Sequence, residues 1–331
     1  MAVVVAASLG GAAVARAGGP APASGPTRFE PPDGQRYLGV STEGPGAALT
    51  RFLTASGRTS VAIYNRWSEA MGPFDWILRE FAAHPDVTGM ISWNLPGTGS
   101  QRSVADGAVD PYLRARVAEL RAYGRPVFLR INWEFNGCYY AWSSFDCAGG
   151  ALPGNAPGDY VAAWRHVAKL VAPARNVTLV WSPTLFPPLP AGHGLHIWDY
   201  YPGDDVVGWI GMDAYPGSAP WAVMQHGPEG MDAIYAFAVD HHRPVMIAEW
   251  GLNNQATGDD PAWVNVELAW VESHPEVKAA LYFDYDNRPQ GGKDYRLADF
   301  PVAAAALRHQ VASPSWLSSL CSSTCQPPGT G

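Results

Sequence analysis

The sequence is poor in positive charge. Lys and Arg together account for 22 of 331 residues and form no run, and the formal net charge is -8 at pH 7. Phosphate recognition needs clustered cations, so nucleic acid is not expected as a partner. The chain also lacks a membrane-length apolar run, since its apolar start at residues 2–15 is shorter than the roughly 20 residues that span a bilayer. We therefore expect no membrane partner either.

Cysteine is scarce, and it occurs in two local pairs. Cys138 lies close in sequence to Cys147, and Cys321 lies close to Cys325. Neither pair has C-x-x-C spacing and no His pair lies nearby, so zinc is the weaker interpretation. An even number of cysteines at short spacing favours two disulfides in an exported chain.

The N-terminal segment has some features of an export signal. An Ala15-Arg16-Ala17 sequence follows the apolar start and has the small-x-small form of a signal-peptidase site. No basic residue precedes the apolar run, so a flexible tail is the alternative. We interpret residues 1–32 as the remnant of a signal peptide with a flexible segment, and we expect the protein to be secreted.

Short β-rich runs alternate with amphipathic segments from residue 35 to residue 310. The predicted strands are 36–41, 60–67, 87–94, 126–135, 177–183, 206–215, 244–250 and 277–285. The predicted helices are 45–56, 74–83, 110–123, 159–172, 229–241, 261–273 and 301–311. This rhythm predicts an α/β fold of the (β/α)8 TIM-barrel type with one catalytic domain, residues 33–311, and a tail at 312–331. We expect a monomer.

A doubly wound sheet would alternate in the same way. Such a fold usually carries a glycine-rich phosphate loop after its first strand, and "LGVSTEGPG" does not match G-x-G-x-x-G. The barrel is therefore the preferred interpretation.

Two predicted strands end on a glutamate. Side chains alternate along a strand, so Arg130, Asn132 and Glu134 are expected on one face, and Glu249 shares a face with Ile247. In a barrel the chemistry lies at the C-terminal ends of the strands. A single glutamate there is equally well explained as a rim salt bridge, but two carboxylates across one cleft are what glycoside hydrolysis needs.

Aromatic residues are abundant, with 14 Trp and 14 Tyr. Their flat apolar faces and polar edges suit the stacking of sugar rings. Four tryptophans at strand ends are candidates for such stacking, namely Trp67, Trp93, Trp181 and Trp250. Four polar residues at strand ends are candidates for contacts with sugar hydroxyls, namely Asn94, Asp213, Asp284 and Asp286.

Three motifs in order resemble glycoside hydrolase family 26. They are "LRINWEFNGCYYAW", "YYPGDDVVGWIGMDAYPG" and "RPVMIAEWG". The resemblance covers residues 36 to about 310 and implies a retaining (β/α)8 enzyme. It implies Glu134 as the acid/base, Glu249 as the nucleophile and Tyr215 as a hydrogen-bond donor to the nucleophile. It also places Tyr139 among the aromatics that line the -1 subsite, with Trp142 three residues later.

The chain departs from that family beside the acid/base. The family's mannanases commonly have His there, and this chain has Trp133, which puts mannan specificity in doubt. A Cys138–Cys147 bridge would stiffen the loop that carries the aromatics. Asn132 and Asn136 are expected to hold substrate or the partner carboxylate, and Arg130 or Arg66 to lie near Glu249. Arg130, Trp133 and Trp142 are also expected to contact substrate.

The resulting expectation is a retaining glycoside hydrolase that acts on a β-glycan polysaccharide or oligosaccharide. Endo-β-1,4-mannanase activity ranks first, with a β-glucanase or a β-xylanase as alternatives. A non-catalytic carbohydrate-binding barrel is the alternative from another class. No cofactor or metal is expected, because a metal-dependent barrel hydrolase would show H-x-H on its first strand and "RYLGVSTEG" has no His.

Overall fold

The computed structural model describes residues 29–44, 46–68, 71–95, 100–185, 189 and 193–320. The predicted signal segment and the Cys321/Cys325 pair lie outside the described residues. Among the helices that are described, none combines the length and the apolar character needed to cross a membrane.

Eight parallel strands pair in sequential order, and the first strand pairs with both the second and the eighth, which closes a barrel. The predicted (β/α)8 fold is confirmed. The strands are β1 Arg36–Thr42, β2 Ile63–Trp67, β3 Thr88–Trp93, β4 Val127–Ile131, β5 Val177–Trp181, β6 Trp209–Asp213, β7 Val245–Trp250 and β8 Val277–Asp284.

Helices lie between the strands and cover the outside of the barrel. They are α1 Ala47–Ser56, α2 Asp75–Ala82, α3 Gln101–Ala105, α4 Asp110–Tyr123, α5 Pro157–Val171, α6 Trp221–His226, α7 Met231–Asp240, α8 Pro261–Ser273 and α9 Pro301–Val311. The short helices α3 and α6 were not predicted. Neither was the two-residue strand β9, Trp316–Leu317, which pairs in parallel with the start of β1.

Apolar residues fill two separate regions. One cluster lies between the strands and the helices, and a smaller one fills the barrel interior, where Phe128, Met246 and Leu281 are fully buried. The ring of Phe29 packs edge-on against Phe128, with 5.6 Å between ring centres, and adds to this interior cluster. The buried charges Arg130, Asp213 and Glu249 lie instead where β4, β6 and β7 end. This distribution directs attention to the C-terminal mouth of the barrel.

Candidate active site

Arg130 is the centre of the buried charges. It lies on β4 with no exposed surface, and one guanidinium nitrogen donates to Glu249 Oε1 at 2.5 Å. The other terminal nitrogen pairs with Asp213. One cation therefore joins carboxylates from β6 and β7, which makes Arg130 a positioning group rather than the substrate contact that was predicted. Arg66, also considered as a neighbour of Glu249, pairs with Glu80 instead.

Glu249 is held by donors at both oxygens. Oε1 accepts from Arg130, and Oε2 accepts from the hydroxyl of Tyr215 at 2.5 Å. Glu249 is 4% exposed, and its two donors fix the orientation of the carboxylate. The predicted contact between Tyr215 and Glu249 is present in the structure.

Glu134 reaches the cleft from a turn and not from a strand. The predicted strand ran to residue 135, but β4 ends at Ile131. Asn132 and Glu134 then adopt positive φ angles of 41° and 50°. The period-two argument that placed Asn132 and Glu134 on the face of Arg130 therefore fails beyond Ile131. Such angles cost non-glycine residues about 1–3 kcal/mol each and persist where surrounding contacts enforce them.

Backbone and amide contacts hold that turn. Glu134 N donates to Ser182 O at 2.8 Å. The side chain of Asn136 clamps Thr184 in both directions, donating to its carbonyl at 2.7 Å and accepting from its N–H at 2.9 Å. Asn132 Oδ1 accepts from Leu95 N at 2.8 Å. The two asparagines were predicted to hold substrate or a carboxylate, and this is corrected because their amides bind backbone.

The surroundings of Glu134 favour its protonated form. Burial raises its pKa to about 7, the negative charge of Glu249 adds to the rise, and Arg130 opposes it. The nearby Tyr139 and Thr184 side chains also lower this pKa, though by less. A carboxyl group that stays protonated near neutral pH can act as a general acid.

Asp213 is a third carboxyl group at the same place. It is buried at the end of β6, pairs with Arg130 and accepts a hydrogen bond from the hydroxyl of Ser182. Burial raises its pKa well above the usual range, Arg130 opposes this, and Glu249 and Glu134 add to the rise. It had been predicted to contact sugar hydroxyls, and it is instead built into the charge cluster.

Three of the four strand-end tryptophans point away from the cleft. Trp93, Trp181 and Trp250 have no exposed surface and belong to the cluster between strands and helices. Each of these tryptophans is next in sequence to a residue whose side chain bonds to Arg130 or Asp213, namely Ser92, Ser182 or Glu249. Because side chains alternate along a strand, the adjacent tryptophan points to the opposite face, toward the helices. The prediction that these three tryptophans stack on sugar is therefore wrong.

The acidic residues at the end of β8 and just after it are also engaged in ion pairs. Asp284 accepts from Arg51 at 2.7 Å and from Leu297 N at 2.7 Å, and it has no exposed surface. Asp286 forms an ion pair with Arg288. Asp284 is therefore corrected from a substrate contact to a structural ion pair.

Instead, the inward positions around β8 are aromatic. Phe283 and Tyr285 stack at 5.3 Å between ring centres, and both meet Trp67 edge-on. Tyr295 packs against Phe283 and Tyr215, and its pKa is raised to about 12 by burial and then by Glu249 and Glu134. Alternation along "YFDYD" could have predicted that Phe283 and Tyr285 share one face. Tyr295 lies on a later loop, where strand periodicity makes no prediction.

A second aromatic group lies on the loop after Glu134. Cys138 and Cys147 form a disulfide with their Cα atoms 4.7 Å apart, as predicted. Trp142 stacks parallel to Tyr140 at 4.2 Å and donates to the carbonyl of Trp133. Trp133 is 5% exposed and donates to the hydroxyl of Tyr140. Trp133 and Trp142 therefore mainly pack the loop, although both had been predicted to contact substrate.

The arrangement brings two carboxyl groups, one just after β4 and one at the end of β7, close enough for the charge of Glu249 to act on Glu134. One is buried so that it retains a proton, and the other is oriented by Arg130 and Tyr215. Within the described ranges, no three His, Cys, Asp or Glu side chains are grouped as ligands for a metal ion. The geometry suits acid/base chemistry combined with nucleophilic attack.

No family model matches the chain. Endoglucanase H of Acetivibrio thermocellus is 25% identical over 291 residues, which is 83% of this chain and 30% of that protein. A β-1,3-xylanase of a Vibrio species is 26% identical over 155 residues, which is 46% of this chain and 29% of that protein. The chain thus spans about a third of the length of these curated relatives.

Solved structures share the fold. An endo-β-1,4-mannanase of Cellulomonas fimi superposes with a TM-score of 0.64 at 16% identity, over 86% of this chain and 72% of that one. A Bacillus subtilis mannanase superposes with a TM-score of 0.59 at 18% identity, over 90% and 91%. The Cellulomonas enzyme is described among the mannanases of glycoside hydrolase family 26. The resemblance to that family, seen first in the sequence motifs, is confirmed at the level of the fold.

Proposed function

We propose that this chain is a retaining glycoside hydrolase that cleaves β-linked polysaccharide. The observation that carries the proposal is the pair Glu134 and Glu249 at the C-terminal ends of β4 and β7, with Arg130 and Tyr215 bonded to Glu249. Glu134 combines a pKa raised to about 7 with a second carboxylate, Glu249, that is held by two donors, and this combination supports catalysis over sugar binding alone.

In this proposal Glu249 attacks the anomeric carbon while Glu134 protonates the departing glycosidic oxygen. A covalent glycosyl-enzyme forms, and Glu134, now a carboxylate, removes a proton from the water that hydrolyses it. Asp213 and Arg130 keep the two carboxyl groups in place. The family resemblance places Tyr139 at the -1 subsite, and we assign further contacts with the glycan to the aromatic cluster of Trp67, Phe283 and Tyr285.

β-1,4-mannan is the first candidate substrate, by analogy with the mannanases that share the fold. β-Glucan is the second candidate, supported by the relative named endoglucanase H and by Trp133 in place of the histidine that family mannanases commonly have. Trp133→His is expected to raise turnover of mannan relative to glucan. An unchanged ratio with lower stability would identify Trp133 as a packing residue only.

The experiment is a screen of the purified protein against mannan, mixed-linkage β-glucan, β-1,3-glucan, β-1,4-xylan and β-1,3-xylan, with product sizes recorded. Hydrolysis of at least one polymer is expected, and Glu134→Gln and Glu249→Gln should each abolish it while leaving the fold intact. Binding of a polymer without any hydrolysis would instead support the carbohydrate-binding alternative.

We also propose export, because a disulfide in the loop beside Glu134 would be difficult to maintain in a reducing compartment.

A further inference from the structure

Three buried polar side chains lie in the interior of the barrel, one on each of its first three strands. Ser41 on β1, Asn65 on β2 and Ser92 on β3 have no exposed surface. Two positions before Asn65 and Ser92, on the same strands, Ile63 and Met90 belong to the apolar interior cluster. The polar side chains therefore form the next layer toward the C-terminal mouth. Burying a polar group costs free energy unless it is hydrogen-bonded, so the partners of this layer indicate why it is polar.

The three side chains form one chain of hydrogen bonds that ends on Arg130. Asn65 Nδ2 donates to Ser41 Oγ at 3.1 Å, and Ser92 Oγ donates to Asn65 Oδ1 at 2.9 Å. Arg130 Nη1 donates to Ser92 Oγ at 3.4 Å. Because a guanidinium has donors only, Ser92 must accept from Arg130 and give its one proton to Asn65. Every hydrogen bond in the chain is therefore donated away from Arg130, which leaves an oxygen lone pair facing the cation.

Arg130 is the cation that holds the proposed nucleophile. The nitrogen that contacts Ser92 also donates to Glu249 Oε1 at 2.5 Å, and the other terminal nitrogen pairs with Asp213. The Nε–H of Arg130 has no hydrogen-bond partner among the described residues, so the guanidinium is oriented through its two terminal nitrogens. The two carboxylates come from β6 and β7, whereas Ser92 comes from β3, the strand on the other side of β4. Ser92 therefore restrains the guanidinium from a direction that neither carboxylate covers.

We propose that Ser92, aimed by Asn65, is a positioning residue that holds Arg130 on Glu249. The proposal rests on the proposed function of Glu249 as nucleophile and adds two residues that act on it through Arg130. One hydrogen of Arg130 Nη1 is committed to Ser92 and the other to Glu249, so the guanidinium cannot turn without losing a bond. Glu249 thus keeps one orientation while it attacks, and a fixed geometry of the attacking group is a large part of enzymatic rate enhancement.

The first test removes a single oxygen atom. In Ser92→Ala the guanidinium of Arg130 loses an acceptor, so kcat/KM should fall about tenfold. The loss should be the same for a polysaccharide and for an activated aryl β-glycoside, because Glu249 must attack in both cases.

Ser56→Ala is the matched control for Ser92→Ala. Ser56 is 1% exposed and its hydroxyl donates to Leu53 O at the end of α1, away from the carboxyl pair. Its loss should leave kcat/KM unchanged. An unchanged kcat/KM in Ser92→Ala, or an equal decline in Ser56→Ala, overturns the proposal.

The role of Asn65 is tested by a double-mutant cycle. Asn65→Ala removes the acceptor that aims Ser92, so kcat/KM should fall by less than in Ser92→Ala. Because Asn65 acts through Ser92, the double variant should lose no more than Ser92→Ala alone. Losses that multiply fully in the double variant would show that Asn65 does not act through Ser92. Ser92→Ala tests the contact with Arg130 even if the larger deletion at Asn65 lowers stability.

A further readout needs no substrate. In protein labelled with ¹⁵N-arginine, the Nη–H signals of Arg130 can be assigned by their loss in Arg130→Lys. Their exchange with solvent should be about tenfold faster in Ser92→Ala, because the guanidinium has one bond fewer to break before it turns. Faster exchange in a protein that hydrolyses no glycan would keep this contact and reject the proposed function. Unchanged exchange in an active enzyme would reject the contact and keep the function.

Discussion

Glu134 and Glu249 are the same side chain in two different surroundings. Glu249 receives donors at both oxygens, from Arg130 and from Tyr215. Glu134 is surrounded by buried groups and by the negative charge of Glu249. The proposed division of labour between acid and nucleophile therefore follows from local electrostatics rather than from residue type.

This difference predicts a pH dependence. The pKa of Glu134 is raised to about 7, so the fraction carrying the catalytic proton is high below that pH and falls above it. We expect kcat/KM on a polysaccharide to decline about tenfold per pH unit above roughly pH 7. The measurement is initial rates at low substrate from pH 4 to pH 10, with Glu134→Gln assayed on an activated aryl glycoside as the control. That variant should lack the alkaline limb, and a wild-type profile that stays flat to pH 9 would contradict the assignment.

Glu267 on α8 makes a separate prediction about stability. It has no exposed surface, and neither carboxyl oxygen has a hydrogen-bond partner among the described residues. Burial raises its pKa from 4.5 to about 8. Below about pH 4.5 the folded and unfolded states are both protonated at this residue. Between that pH and about 8 only the unfolded state ionises, so this residue lowers the free energy of unfolding as pH rises.

Glu267→Gln should therefore stabilise the protein at pH 7 by on the order of 2–3 kcal/mol and much less at pH 4.5. Urea unfolding at the two pH values measures this difference. Asp240→Asn, at an exposed position at the end of α7, is the matched control and should change little at either pH. Equal effects of Glu267→Gln at both pH values would show that Glu267 is not buried as a neutral acid.

At the scale of elements, the turn after β4 delivers the acid. Asn136→Ala removes both hydrogen bonds to Thr184, so the strained turn should relax and carry Glu134 away from its position. We expect kcat to fall by about 10²-fold, the loss typical of a displacement near 1 Å, with a smaller change in KM.

Asn176→Ala is the matched control for that variant. Asn176 is another asparagine clamp, donating to the carbonyls of Leu120 and Arg125 near the starts of β4 and β5. Its loss should lower the melting temperature without a selective loss of kcat. If the two variants lose kcat equally, the turn has no special role.

Much of the element pattern could be predicted from the sequence. Helices α4 and α9 occur at their predicted bounds, 110–123 and 301–311, because a proline in the first turn of each helix and the apolar periodicity define them locally. The strand order also follows from the alternation. The turn at 132–134 could not be predicted, since its positive φ angles depend on contacts with Ser182, Leu95 and Thr184 from other parts of the barrel.

Only part of the candidate site could be predicted from the sequence. Glu134, Glu249 and Tyr215 were found through their motifs, and the structure brings them together. Trp181 and Trp250 were misplaced because a strand-end residue was assumed to face the cleft without applying alternation to its neighbour. Applying side-chain alternation to the end of β8 would have predicted that Phe283 and Tyr285 lie on one face of the strand.

At the scale of the molecule, the C-terminal end of the barrel carries the proposed catalytic residues, and the N-terminal end contributes to stability. At the start of β1, the strand β9 adds Trp316, which is 2% exposed, lies 5.5 Å from the guanidinium of Arg36 and donates to Glu272.

Trp316→Ala should lower the free energy of unfolding by about 3–5 kcal/mol and leave kcat unchanged, because the carboxyl pair lies at the other end of the barrel. Urea unfolding and steady-state rates measure both quantities. Val302→Ala, at an exposed position on α9, is the control, and a loss of kcat without a loss of stability in Trp316→Ala would contradict this separation.

The central claim is that Glu249 is the nucleophile and Glu134 the acid/base of a retaining hydrolase. The most direct measurement is the stereochemistry of the glycosyl azide formed when Glu249→Ala and Glu134→Ala act on an activated aryl β-glycoside in the presence of azide. Glu249→Ala should give the inverted α-azide, because azide occupies the place of the missing carboxylate. Glu134→Ala should give the β-azide, because the glycosyl-enzyme still forms and azide then attacks it. The reverse pairing would contradict the assigned roles, and near wild-type hydrolysis of polysaccharide by either variant would contradict the account as a whole.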